Sequence, residues 1–166
     1  MYHHFLKFSF LLLITVSLTG NAQTLSKQDV PEKIFDYIYK KHPEAKDISI
    51  TEKKHFNQPL YEANFTAKNI DKNGQSYEEK ITDLFRINGH FYTNALVVDH
   101  NAFNIMSSAA VNSLKSHYPK YEILAMKTVI NPNTVGEEYE INMLLSGKIW
   151  NISINDQGEI ITETRN

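Results

Sequence analysis

Between Tyr139 and Gly158, two runs of apolar residues recur with a period of two. Tyr139, Ile141 and Met143 alternate with polar residues, and Leu145 keeps their phase beyond Leu144. Trp150, Ile152 and Ile154 alternate likewise, and Ser146-Gly147 separates the two runs. A period of two sends alternate side chains to opposite faces, so the stretch predicts a β-hairpin with one buried face. The same pattern occurs earlier: Tyr61, Ala63, Phe65 and Ala67 form one run, and Ile81, Phe85 and Ile87 another ending at Asn88-Gly89.

Two helical stretches precede these strand regions. Asp29 is expected to open the first, with Pro31 in its first turn and Glu32 three residues on. Val30, Ile34 and Ile38 make its apolar stripe, and Pro43 ends it. The second is predicted from Phe103 to Tyr118, with Met106, Ala110 and Leu114 as its stripe and Pro119 after it. The stripes and prolines match at an offset of 76, the Tyr61 and Tyr139 strands at 78, and Gly89 and Gly158 at 69. The chain therefore reads as a duplication, predicting an α+β fold of two tandem αββββ units. Each would be an antiparallel sheet with its helix packed on one face. The expected divisions are 1–22, a signal peptide, then repeats at 23–100 and 101–166.

The signal assignment rests on Lys7, the apolar run from Phe8 to Leu18, and the small residues of Gly20-Asn21-Ala22. That run is shorter than the about 20 apolar residues a bilayer span needs. Cleavage after Ala22 and a periplasmic or secreted location are expected, with no membrane span left after cleavage. The net charge of −2 lacks the clustered basic excess of a nucleic-acid surface. With no cysteine there is no disulfide, so the core must hold the chain unaided.

The repeated order is helix, His42-Pro43 or Tyr118-Pro119, a strand, then Tyr61-Glu62-Ala63-Asn64-Phe65 or Tyr139-Glu140-Ile141-Asn142-Met143. A turn at Phe85-Arg86-Ile87-Asn88-Gly89 or Ile154-Asn155-Asp156-Gln157-Gly158 follows. With the leader in front, this resembles the secreted PepSY-like family, whose fold is similar to that of the β-lactamase inhibitor protein. The resemblance implies no catalytic residues. It implies a protein that binds another through a concave sheet face, although the inhibitors carry disulfides and this chain has none.

The residues themselves name no reaction. His42, His55, His90, His100 and His117 show no metal-ligand spacing and suit surface or turn positions. No nucleophile motif or cofactor motif is present, and Asp83, Asp99 and Glu79 read as exposed strand and loop charges. Trp150 is in phase with Ile152 and Ile154, a core position. The expectation is a noncatalytic binding or inhibitory module for another envelope or secreted protein, without metal or cofactor. The alternative is a small-ligand protein or enzyme using a cleft between the repeats.

Register locates the expected surface. If Asn88-Gly89 is a two-residue loop, Ile87 pairs with His90, Phe85 with Tyr92 and Ile81 with Leu96. Parity then places Glu62, Asn64, Leu84, Arg86 and Phe91 on the face away from the helices. By the repeat it adds Glu140, Asn142, Asn151 and Ser153. These nine residues are the candidate binding surface, with Phe91 and Arg86 as its anchors.

Overall fold

The alternation is answered by one unbroken antiparallel ladder. The computed structural model describes residues 24–99 and 102–165. Its strands are β1 (Lys46–His55), β2 (Gln58–Ile70), β3 (Ser76–Arg86), β4 (Phe91–Asp99), β5 (Tyr121–Ile130), β6 (Glu137–Leu145), β7 (Lys148–Asn155) and β8 (Ile160–Arg165). They lie in a single sheet in sequence order. The helices are short: α1 (Glu32–Lys41) and α2 (Ser108–His117). The signal segment, its cleavage point and His100 lie outside the described residues.

This corrects the expectation of two tandem αββββ units. Five consecutive pairs, from Ala95 opposite Val129 to Asp99 opposite Ala125, join β4 to β5. A duplicated sequence does not say whether its edge strands stay apart. An edge exposes unpaired N–H and C=O groups, and pairing β4 with β5 removes two such edges.

The helix starts are also corrected. Asp29 closes a 3-10 turn at Lys27–Asp29, where its Oδ2 accepts from Ser26 Oγ at 2.5 Å, and α1 begins after Pro31. The second helix begins at Ser108, later than Phe103, because Ser107 caps it: its Oγ accepts from the Ala110 N–H at 3.1 Å. That hydroxyl donates to the Asp156 carbonyl at 2.5 Å, and the Ser107 N–H donates to the Tyr139 hydroxyl at 3.0 Å. The sheet thus fixes the first turn of α2. Burial, with the Glu137 carboxylate that accepts from it, pushes the Tyr139 hydroxyl up to about 12.

Turn chemistry sets the registers. Ser146 and Gly147 both have positive φ (50° and 73°), and Leu145 faces Lys148, the two-residue type I′ geometry that suits strand twist. Phe56 and Asn57 do the same between β1 and β2 (50° and 59°). Asn88-Gly89 differs. The Arg86 N–H donates to the His90 carbonyl and the Gly89 N–H to the Arg86 carbonyl, so the loop has three residues and Gly89 takes φ +82°. Gly158 closes the equivalent turn at +86°. A Cβ on Gly158 would sit 2.7 Å from the Ala109 carbonyl oxygen, and one on Gly89 2.8 Å from Pro31 Cβ. Both glycines let a turn approach the start of a helix.

Two large apolar clusters result. Ile34 and Ile38 of α1 are buried with Ile50, Ala63, Phe65 and Phe85. Ala110 and Leu114 of α2 are buried with Met126, Tyr139, Ile141 and Ile152, and Trp150 packs half-buried against them. A smaller cluster of Leu60, Leu84, Tyr92 and Val129 lies on the other side of the sheet.

Candidate functional site

β1 and β6 are five ladder steps apart. At about 4.8 Å per step, a flat sheet would separate them by about 24 Å. Instead, His55 Nδ1 lies 3.0 Å from Glu138 Oε2, and the Phe56 N–H donates to Glu138 Oε1 at 2.8 Å. Lys53 Nζ lies 2.7 Å from Glu140 Oε2. The sheet is therefore rolled, and the face away from the helices is its inside.

Six ionisable side chains meet in that hollow. Parity sends Lys53 and His55 inward from β1, Glu62 from β2, Lys127 from β5, and Glu138 and Glu140 from β6. Lys127 pairs with Glu62 and, at 2.7 Å, with Glu140. Lys53 also approaches Glu62 at 3.4 Å. His55, Glu62 and Glu138 are buried, at 2%, 4% and 8% exposure. Burial acts to raise the Glu140 carboxyl, but the Lys127 and Lys53 ammoniums outweigh it and hold the group at about 2. Burial likewise acts to lower the Lys53 ammonium, and Glu140 and Glu62 more than reverse it, leaving it raised.

The Glu140 shift carries a pH dependence. A carboxyl depressed by folding adds stability above its ordinary value of 4.5, and that stability is lost as pH falls toward about 2. Wild-type urea midpoints should therefore fall across this window. Glu140→Gln should be less stable at neutral pH and show a flatter fall. Parallel curves for the two proteins would show that Glu140 is not held by the lysines.

His55, Glu62 and Glu140 each offer a ligand atom within 4.8 Å of the others. A divalent cation there would have to displace two ammoniums that already neutralise both carboxylates. The donor set is thus an internal ion-pair network and fits a metal poorly. Next to it, Thr82 Oγ1 donates to Asn64 Oδ1 at 2.7 Å, and Asn64 Nδ2 donates to Glu62 at 3.2 Å. A cavity of about 210 Å³ opens beside this group, lined by Asn64, Thr82, Val97, Lys127, Glu140 and Asn142.

The nine sequence-predicted residues divide accordingly. Glu62 and Glu140 belong to the charge network, and Asn64 adjoins it. Asn142 faces Asn151 and Glu140 faces Ser153 across β6 and β7, on the same side. Leu84 is fully buried in the small apolar cluster. Arg86 is exposed, with its guanidinium 5.1 Å from the Tyr92 ring centroid.

Phe91 is on the opposite side, and the expected register fails there. The three-residue loop pairs Phe85 with Phe91, and the bulge that follows restores Leu84 opposite Thr93. Phe91 consequently stacks on Tyr37 of α1 (centroids 4.8 Å apart, planes at 11°) and meets Phe85 edge-on at 5.9 Å. Phe91→Ala should therefore lower stability by about 2 kcal/mol, less than for a fully buried ring because this one is half-buried. Chemical denaturation checks it, and an unchanged midpoint would return Phe91 to the surface.

Lys53, His55, Lys127 and Glu138 were absent from the expected surface, and His55 is corrected from a surface role to a buried one. Their parity was legible from Ile50 and Met126, which face the helices. Their convergence was not, because it arises from the roll of the sheet.

No protein-family model matches the chain, and no curated protein does. Among solved structures, a Bacteroides eggerthii protein with a provisional periplasmic assignment aligns at TM-score 0.49 and 14% identity, over 82% of this chain and 88% of that one. A DUF2874 family protein from Bacteroides ovatus aligns at 0.44 and 15%, over 82% and 87%. Likeness at this level assigns neither family nor activity, and the PepSY-like resemblance has no matching family model behind it. Among the described residues, no helix is long and apolar enough to cross a membrane.

Proposed function

We propose that the protein is an exported, noncatalytic binding module that takes a protein partner at the mouth of its rolled face. The observation that carries this reading is the charge network, in which each carboxylate has a cationic or N–H partner and His55 Nε2, 3.3 Å from Glu140 Oε1, is left without a hydrogen bond among the described residues. Its carboxylates are held by lysines or by His55 and the Phe56 N–H, which leaves little for nucleophilic or proton-transfer chemistry. What it does supply is a fixed polar wall beside accessible groups. Val97 is 51% exposed and Asn142 is exposed, both on paired strands. Rigid, preorganised contacts of this kind reduce the entropic cost of association. Export is supported by the charged, apolar and small-residue segments of residues 1–22. In the inhibitory form of this reading, the partner is an enzyme whose turnover falls as the chain is added.

The test is capture from bacterial envelope extract on the immobilised protein. Val97→Asp and Asn142→Arg should abolish capture while leaving the melting temperature unchanged. Lys33→Glu, on the exposed side of α1, should retain it. A partner captured equally by all three variants would place binding elsewhere.

A further inference from the structure

The opposite side of the sheet holds a group that the charge network does not explain. Asp83 is 1% exposed, and neither carboxylate oxygen has a hydrogen-bond partner among the described residues. The expectation of an exposed strand charge is corrected here. His42 Nε2, at the end of α1, is also buried without such a partner. Both residues line one cavity of about 320 Å³, with Lys41 and Asn94 and with Leu96 at an exposed edge. A buried carboxylate without a donor is costly, so this site calls for one.

The chain supplies its own control. Asp83 lies opposite Ala63, and at the matching places in the second half, offset by 69 and 78, Ile152 lies opposite Ile141. Both isoleucines are buried in the α2 cluster. Tyr118 occupies the place of His42. One half fills this position with two large apolar side chains. The other has a methyl group, a carboxylate and a cavity, although an apolar solution is available to the same framework. Packing therefore does not require Asp83.

The surrounding charges indicate the occupant. Burial raises the Asp83 carboxyl, while Lys41 and His42 act to lower it. Glu79, which accepts from Asn69 Nδ2, and Lys80 also line the cavity, so a simple cation would meet the Asp83 carboxylate but oppose the Lys41 and Lys80 ammoniums. A ligand carrying both signs meets both: an ammonium at depth and a carboxylate at the rim, where Lys41 is exposed on a flexible stem.

We propose that the Asp83–His42 cavity binds a small zwitterion of the amino-acid class, its ammonium on Asp83 and its carboxylate toward Lys41. Asp83 and His42 reach this cavity from the helix side, whereas Thr82 and Val97 line it where it meets the rolled face, and the proposal does not depend on the partner reading. Calorimetric titration of the full chain with free glycine, alanine, serine, lysine and glutamate tests it, with amide NMR shifts to locate binding. At least one should bind at millimolar concentration or tighter and shift the amides of His42, Asp83 and Asn94. The N-acetylated form of that amino acid, which lacks the ammonium, should bind about tenfold or more weakly, as should the protein carrying Asp83→Asn. If Asp83→Asn does not fold, the acetylated ligand and the shift map decide on the wild type alone. No binding by any of the five, binding indifferent to acetylation, or shifts confined to the rolled face would overturn the proposal. So would a cavity holding ordered water only.

Discussion

Lys127→Ala should destabilise the protein by about 3–5 kcal/mol, the range for removing one partner of a buried ion pair. Lys127 is 13% exposed in its side chain and contacts both Glu62 and Glu140. Without it, Glu62, whose side chain is 6% exposed, keeps Lys53 at 3.4 Å as its cation and the Asn64 amide at 3.2 Å. The cost is the uncompensated charge left inside the roll, not the Coulomb energy of one bridge. Lys127→Met combined with Glu62→Leu should therefore lose less stability than Lys127→Met alone, because it removes the stranded charge with its partner. Urea denaturation at neutral pH measures all three. A loss below about 1 kcal/mol for Lys127→Ala would mark the network as a solvated surface feature.

Leu114→Ala and Ile34→Ala should each cost about 2–5 kcal/mol, as fully buried large-to-small changes. Each removes a fully buried anchor of a short helix that cannot persist alone, since ten residues are marginal without packing. The two sit in clusters with no common member. Their effects should add to within about 0.5 kcal/mol in the double variant. A markedly non-additive result would show that the clusters communicate through the sheet. A cost below about 1 kcal/mol for either would show that its helix is not anchored there.

These residues also show where sequence reading reaches its limit. Ser146-Gly147 could be read because a two-residue loop between alternating runs has one favoured geometry, and that fixed every pair from Leu145 to Glu138. Asn88-Gly89 looks equivalent and is not: one more residue in the loop moved Phe91 to the helix side, while the bulge preserved the faces beyond it. Parity identified Glu62, Asn64 and Glu140 correctly as side-sharing residues. It could not reveal that they are enclosed, because the roll accumulates over five strand pairs and has no local signature. Asp83 had a signal. It occupies the helix-side parity between Ile81 and Phe85, where an apolar residue is expected, although charged residues usually lie exposed.

The strand order bears on how the chain assembles. Every strand pairs with its neighbour in sequence, so most of the ladder closes short loops, and closure is entropically cheaper the shorter the loop. The contacts that hold the roll span 65, 83 and 87 residues. They reward the chain only after the intervening hairpins have formed, and are expected to form after the rate-limiting step. Lys127→Ala should then accelerate unfolding and leave the refolding rate nearly unchanged, whereas Ile141→Ala, inside a local hairpin, should slow refolding. Stopped-flow measurements in urea separate the two limbs. The charged interior would thus act as a late latch on a sheet already built, governing how long the native state lasts more than how fast it is reached.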